Sequence, residues 1–148
     1  MSGFPQHLTT DMVLRDIPLC SQGTFMAQYE TLPIYKAAYD FLLRTMHAIS
    51  HFPREYKYTL GEKIQNQAIE LIILIYKINS SENKVPLLKL MQEQIQLLYL
   101  LLRISHDIKL MPTEKYAGIV EMVDGVANQT KGWLKSNEKV RESASSKD

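Results

Sequence analysis

The chain has 148 residues, 45% of them hydrophobic, which is enough for one domain around one core and calls for no second. Its 17 Lys and Arg stand against 16 Asp and Glu, a net charge of +1, so bulk charge is excluded as a source of nucleic-acid or membrane affinity and only local clustering could supply it. A single cysteine, Cys20, excludes an internal disulfide and a cysteine-based zinc site, and the longest apolar run, Leu97 to Leu102, is far shorter than the roughly 18 residues of a membrane span.

No basic stretch followed by an apolar one opens the chain, so a reducing, cytoplasmic setting with no membrane partner is expected. Residues 1–32 show neither helical nor strand period and carry Gly3, Pro5, Pro18 and Gly23, which predicts a flexible extension. Patterned sequence starts just after Met26, and translation from that methionine is an alternative in which residues 1–25 are absent from the native protein.

Pro33 suits the first turn of a helix. From there Ile34, Ala38, Phe41, Leu42, Thr45, Ile49 and Phe52 recur at three and four, the spacing of one helical face. Pro53 lacks a backbone donor and disfavours helical geometry at Phe52, so this first helix should stop there. Thr59 and Glu62 then spell the T-x-x-E capping box, in which the Thr59 hydroxyl accepts from the Glu62 amide and the Glu62 carboxylate accepts from the Thr59 amide. A second helix is therefore expected from about Leu60 to Asn79, with Leu60, Ile64, Ala68, Leu71, Ile75 and Ile78 on one stripe. From Ala68 to Ile78 only Glu70 and Lys77 are polar, so apolar residues wrap most of its circumference.

The polar connector at 79–83 and Pro86 in a first turn predict a third helix from about Val85 to Leu110. Its segment from Ile95 to Ile104 is interrupted only by Gln96 and Arg103. A fourth helix starting near Pro112 places Tyr116, Ile119 or Val120, Val123, Val126 or Ala127, Thr130 and Trp133 on one stripe and ends around Lys135 to Asn137. Residues 137–148 are rich in Ser and charge and are expected to be a disordered tail. Short connections between four helices favour an all-α, antiparallel up-down-up-down four-helix bundle over residues 33–136. A bundle helix needs an apolar stripe of only about three positions in seven, so the surplus on the second and third helices predicts burial against another subunit, an oligomer.

Phe52-Pro53-Arg54, the string Tyr58-Thr59-Leu60-Gly61-Glu62, Arg103 near the end of an apolar third helix, Tyr116, and Gly132-Trp133-Leu134-Lys135 together resemble the Avd-like four-helix bundle family. That family contains the accessory variability determinants of diversity-generating retroelements and, as relatives, bundle proteins encoded in ribosomal-RNA intervening sequences. The resemblance covers residues 33–136. It implies a homopentamer that associates with the element's reverse transcriptase and binds RNA and DNA through basic surfaces, with no catalysis of its own and no cofactor. Several members are strongly basic, whereas this chain is close to neutral. The alternative within the resemblance is a structural or interaction bundle of the intervening-sequence type, with no reverse-transcriptase partner.

Neutralising phosphates supplies most non-specific nucleic-acid affinity, so the lysines and arginines are the candidate contacts. In the expected topology one bundle end gathers Arg54, Lys57, Lys63, Arg103, Lys109 and Lys115, diluted by Glu55, Glu62, Asp107 and Glu114. The other gathers Lys36, Lys77, Lys84, Lys89, Lys131 and Lys135 against Asp40, Glu82 and Glu93, and is the more positive. For any single lysine an ordinary solvated helix end is the favoured reading, which symmetry in a ring would offset by repeating each residue. Arg103 interrupts an apolar segment and should need a partner; the antiparallel register predicts an ion pair with Glu62, the alternative being a contact to a ligand or partner. Pro53, Thr59, Glu62 and Trp133 are expected to be structural, the tryptophan as core or subunit interface. His47 and His51 stand four apart but lack a third ligand, so no metal site is expected, and the paired Glu-x-x-His of di-iron bundles is absent. Nothing resembles a nucleophile elbow or a phosphate loop, and no enzymatic activity is expected.

Overall fold

The computed structural model describes residues 30–147, so Cys20, Met26 and the expected flexible extension lie outside the described residues. Four helices make up the described chain: α1 (Pro33–Ile49), α2 (Glu62–Ser80), α3 (Val85–Asp107) and α4 (Thr113–Ser145). No strand occurs among the described residues. Helix α1 packs on α2 and α4, and α3 packs on the same two, so the four enclose one core. Phe41, Ile49, Ile64, Leu71, Ile75, Leu88, Met91, Leu98, Leu102 and Ile119 are fully buried in it. Gln67 of α2 bonds Gln94 of α3, Tyr99 of α3 bonds Asp124 of α4, and Gly118 of α4 lies against Arg44 of α1.

The connection from α1 to α2 departs from expectation. Pro53, in extended geometry, is itself the N-cap, and helical backbone resumes at once as a single turn, Arg54–Tyr56, followed by a π-helical turn, Lys57–Gly61, that runs into α2. Thr59 is therefore inside a helix rather than at its start. Its hydroxyl donates to the Glu55 carbonyl at 2.7 Å, four residues back, and α2 has no side-chain cap, so the Thr59 and Glu62 box does not form. The wider turn brings Gly61 into the core beside Ile49 and Phe52. Only a residue without a Cβ fits so closely.

Helix α3 ends in a Schellman motif. The Lys109 amide donates to the His106 carbonyl at 2.9 Å and the Leu110 amide to the Ser105 carbonyl at 2.8 Å, with Lys109 at φ 65°. Helix α4 also departs from expectation, continuing through residues 137–145 instead of ending near Asn137. No Gly or Pro follows Gly132 to break it, and Glu, Lys, Arg and Ala keep helix propensity high. Gln129 and Trp133 already stand beside the start of α1, so the last dozen residues of α4 project past the bundle, nearly all exposed.

Apolar surplus is visible on two separate surfaces. Helices α1 and α2 expose Leu43, Met46, Ile69, Ile73 and Tyr76, and α3 exposes Leu90, Leu97, Leu100 and Ile104, with Ile108 exposed just past its end.

Candidate nucleic-acid interface

The fold sorts the candidate cations by what each ammonium or guanidinium already touches. Lys89 and Lys131, 42 positions apart in sequence, line one groove between α3 and α4 of about 460 Å³, together with Gln92, Glu93, Gln96 and Ala127. A lysine from each of the two helices and the amides of Gln92 and Gln96 suit a strand of phosphates, and Glu93 is the one carboxylate among the lining residues.

Lys84 is occupied otherwise. Its ammonium donates to the Ser81 carbonyl at 2.5 Å and the Asn79 carbonyl at 3.4 Å, satisfying groups left open by the end of α2. Lys36 pairs with Asp40 at 3.2 Å on the surface of α1. Lys77 and Lys135 are exposed, Lys135 at the root of the projecting part of α4.

At the other end, Arg103 does not pair with Glu62. Its Nε donates to both carboxylate oxygens of Asp107 at 3.1 Å, one helical turn along, and both side chains are more than half exposed. The expected burial is missing because Arg103 points from the solvated side of α3, where the neighbouring Leu100 and Ile104 are exposed too. A pair of this kind contributes little, about 0.3–0.5 kcal/mol. Glu62 is exposed where the π-helical turn runs into α2. Arg54 and Lys63 are exposed and Lys57 is partly buried. Arg54 shares an open depression of about 530 Å³ with Pro53, Glu55 and Tyr58. Trp133 is partly buried against the core and beside Leu32, Pro33 and Ile34.

Two features at this end escaped the reading of the sequence. Tyr58 is 65% exposed and Tyr56 36% exposed, flanking Lys57 on the π-helical turn. The available signal was that neither tyrosine falls on the apolar stripe. The second is the turn between α3 and α4, where the His106 ring stacks on Tyr116 at 4.5 Å and its Nε2 lies 3.1 Å from the Thr113 hydroxyl.

His47 and His51 meet edge to face at 5.1 Å, and His51 Nδ1 lies 3.0 Å from the His47 carbonyl, a contact that it makes as a donor. Among the described residues no cluster of three His, Cys, Asp or Glu is placed to hold a metal, and no helix is long and apolar enough to cross a membrane. A search of curated proteins returns no match. The family model described as bAvd-like matches residues 32–137, which take in α1, α2, α3 and the bundled part of α4. On that match, covering the whole bundle, the chain belongs to the bAvd-like family.

Proposed function

We propose that this protein is a non-enzymatic accessory of a diversity-generating retroelement, binding the element's reverse transcriptase together with its RNA or DNA in the cytoplasm. Membership of the bAvd-like family carries the reading. The Lys89 and Lys131 groove supports it by giving a near-neutral chain a local site where phosphates gain two ammonium contacts. Lys77 and Lys135 extend the positive surface at the same end, while Lys84 is held by backbone carbonyls.

The working form in this proposal is a ring of identical copies, a homopentamer by family likeness, each an antiparallel up-down-up-down bundle. The neighbouring pairs Gln67 with Gln94 and Tyr99 with Asp124 support that course, since each pair straddles the short connector that joins its two helices at comparable distances along both. Two apolar strips on different faces support a heterologous contact, the α3 strip of one copy against the α1 and α2 strip of the next. Contacts of that kind close into rings when the rotation allows, and a ring repeats each lysine pair around its axis.

The test is RNA binding by the full chain across a salt series. Binding that weakens with salt, and that loses about two units of slope in Lys89→Ala/Lys131→Ala, is the expected result. A flat salt dependence would remove the phosphate contacts and with them this reading.

A further inference from the structure

We infer that the depression lined by Tyr58 and Arg54 at the π-helical turn is a stacking platform for unpaired bases, which makes single-stranded nucleic acid the substrate class of this end of the bundle. The inference rests on the nucleic-acid reading above and narrows it.

Tyr58 is the most exposed large hydrophobic side chain among the described residues, at 65%. Among the described residues it joins no core cluster that would account for a ring held in water at the junction of two core helices. The turn that presents it is a π-helical insertion of the kind found at functional sites, and it shifts Lys57 to Gly61 out of phase with the α2 stripe. Tyr58 and Arg54 line the same open depression, so a flat ring entering it would meet a tyrosine face and a guanidinium plane. Aromatic and guanidinium surfaces are the two that unstacked bases use. Glu55 also lines the depression, and its carboxylate repels a phosphate while accepting from the exocyclic amine of a base, which favours a base over the backbone inside. Lys57, Lys63 and the outward side of Arg54 remain for phosphates beside it. A duplex offers no such faces, because its bases are already stacked on one another.

The test measures affinity of the full chain for a short unstructured single-stranded RNA and for the duplex made from it, at fixed salt and across a salt series. Tyr58→Ala is expected to weaken single-strand binding by about 5- to 100-fold, with duplex affinity and the salt slope unchanged. Tyr58→Phe, which keeps the ring, is expected to bind like the wild type. Wild-type single-strand affinity in Tyr58→Ala overturns the inference, as does an equal loss for both RNAs or a loss of self-association with RNA binding intact. A wild-type chain that binds neither RNA overturns the nucleic-acid reading itself, and this inference with it.

Discussion

Gly61 and Gly132 both lie in helical backbone, yet the same substitution should move stability in opposite directions. Replacing a helical glycine by alanine contributes about 1 kcal/mol through backbone entropy and propensity. At Gly132 a Cβ would meet nothing within 4 Å, so that gain is unopposed. At Gly61 the added Cβ would fall 2.6 Å from Ile49 Cγ2 and 3.2 Å from the Tyr56 carbonyl oxygen. The first contact must open by roughly 1 Å to reach ordinary van der Waals distance. Ile49 cannot yield cheaply: it is fully buried, its Cγ2 is fixed by β-branching, and Phe52 stands behind it at 3.6 Å from the same point. A contact this close against a buried neighbour falls in the upper part of the overpacking range, about 2–3 kcal/mol, which exceeds the propensity gain by about 1–2 kcal/mol. Thermal unfolding at one protein concentration should therefore show Gly61→Ala melting about 3–8 °C below wild type and Gly132→Ala a few degrees above it. A Gly61→Ala protein as stable as wild type would refute the close approach of the π-helical turn to α1.

Further outcomes follow from other sites. Lys109 holds φ 65° at the end of α3, the left-handed region in which a Cβ costs about 1 kcal/mol, so Lys109→Gly should raise the melting temperature by roughly 3–5 °C, and an unchanged melt would count against the Schellman geometry. Partial burial first, then the hydrogen bond and charge of Asp124 at 2.5 Å, push the Tyr99 hydroxyl from 10.0 up to about 12. The unfolded chain therefore ionises first, the stabilisation is complete below pH 10 and is lost as pH rises towards 12. Tyr99→Phe should flatten that part of the stability profile in alkaline denaturation, and an unaltered slope would contradict the clip between α3 and α4. Leu100, 55% exposed on the outer strip of α3, should tolerate Leu100→Lys within the monomer but break self-association in light scattering; a wild-type chain that is monomeric at micromolar concentration removes the ring.

Periodicity made the helices legible. Ile34, Ala38, Phe41, Thr45 and Ile49 are buried as their spacing implied, and the surplus apolar residues of α2 and α3 lie exposed in the single chain. Punctuation was misread where one signal pre-empted another: Pro53 already starts the helix, so Thr59 arrives too late to cap it and bonds Glu55 instead. The need for glycine at position 61 is tertiary, set by Ile49 and Phe52, and no local pattern reveals it. Arg103 had an eligible acid four residues on, and that local pair required no knowledge of register, whereas Glu62 did. The groove was legible only in part. Its lysines were both visible, but their meeting depends on how α3 aligns with α4, and the withdrawal of Lys84 depends on how the connector folds back over the end of α2.

The accessory role is tested most directly by co-expressing the full chain with a retroelement reverse transcriptase and purifying through a tag on the enzyme. Recovery of a stable complex that contains this protein and retains RNA after a nuclease-free wash is the predicted result. A reverse transcriptase that purifies, active and soluble, without this chain bound would contradict the role, whatever the chain binds alone.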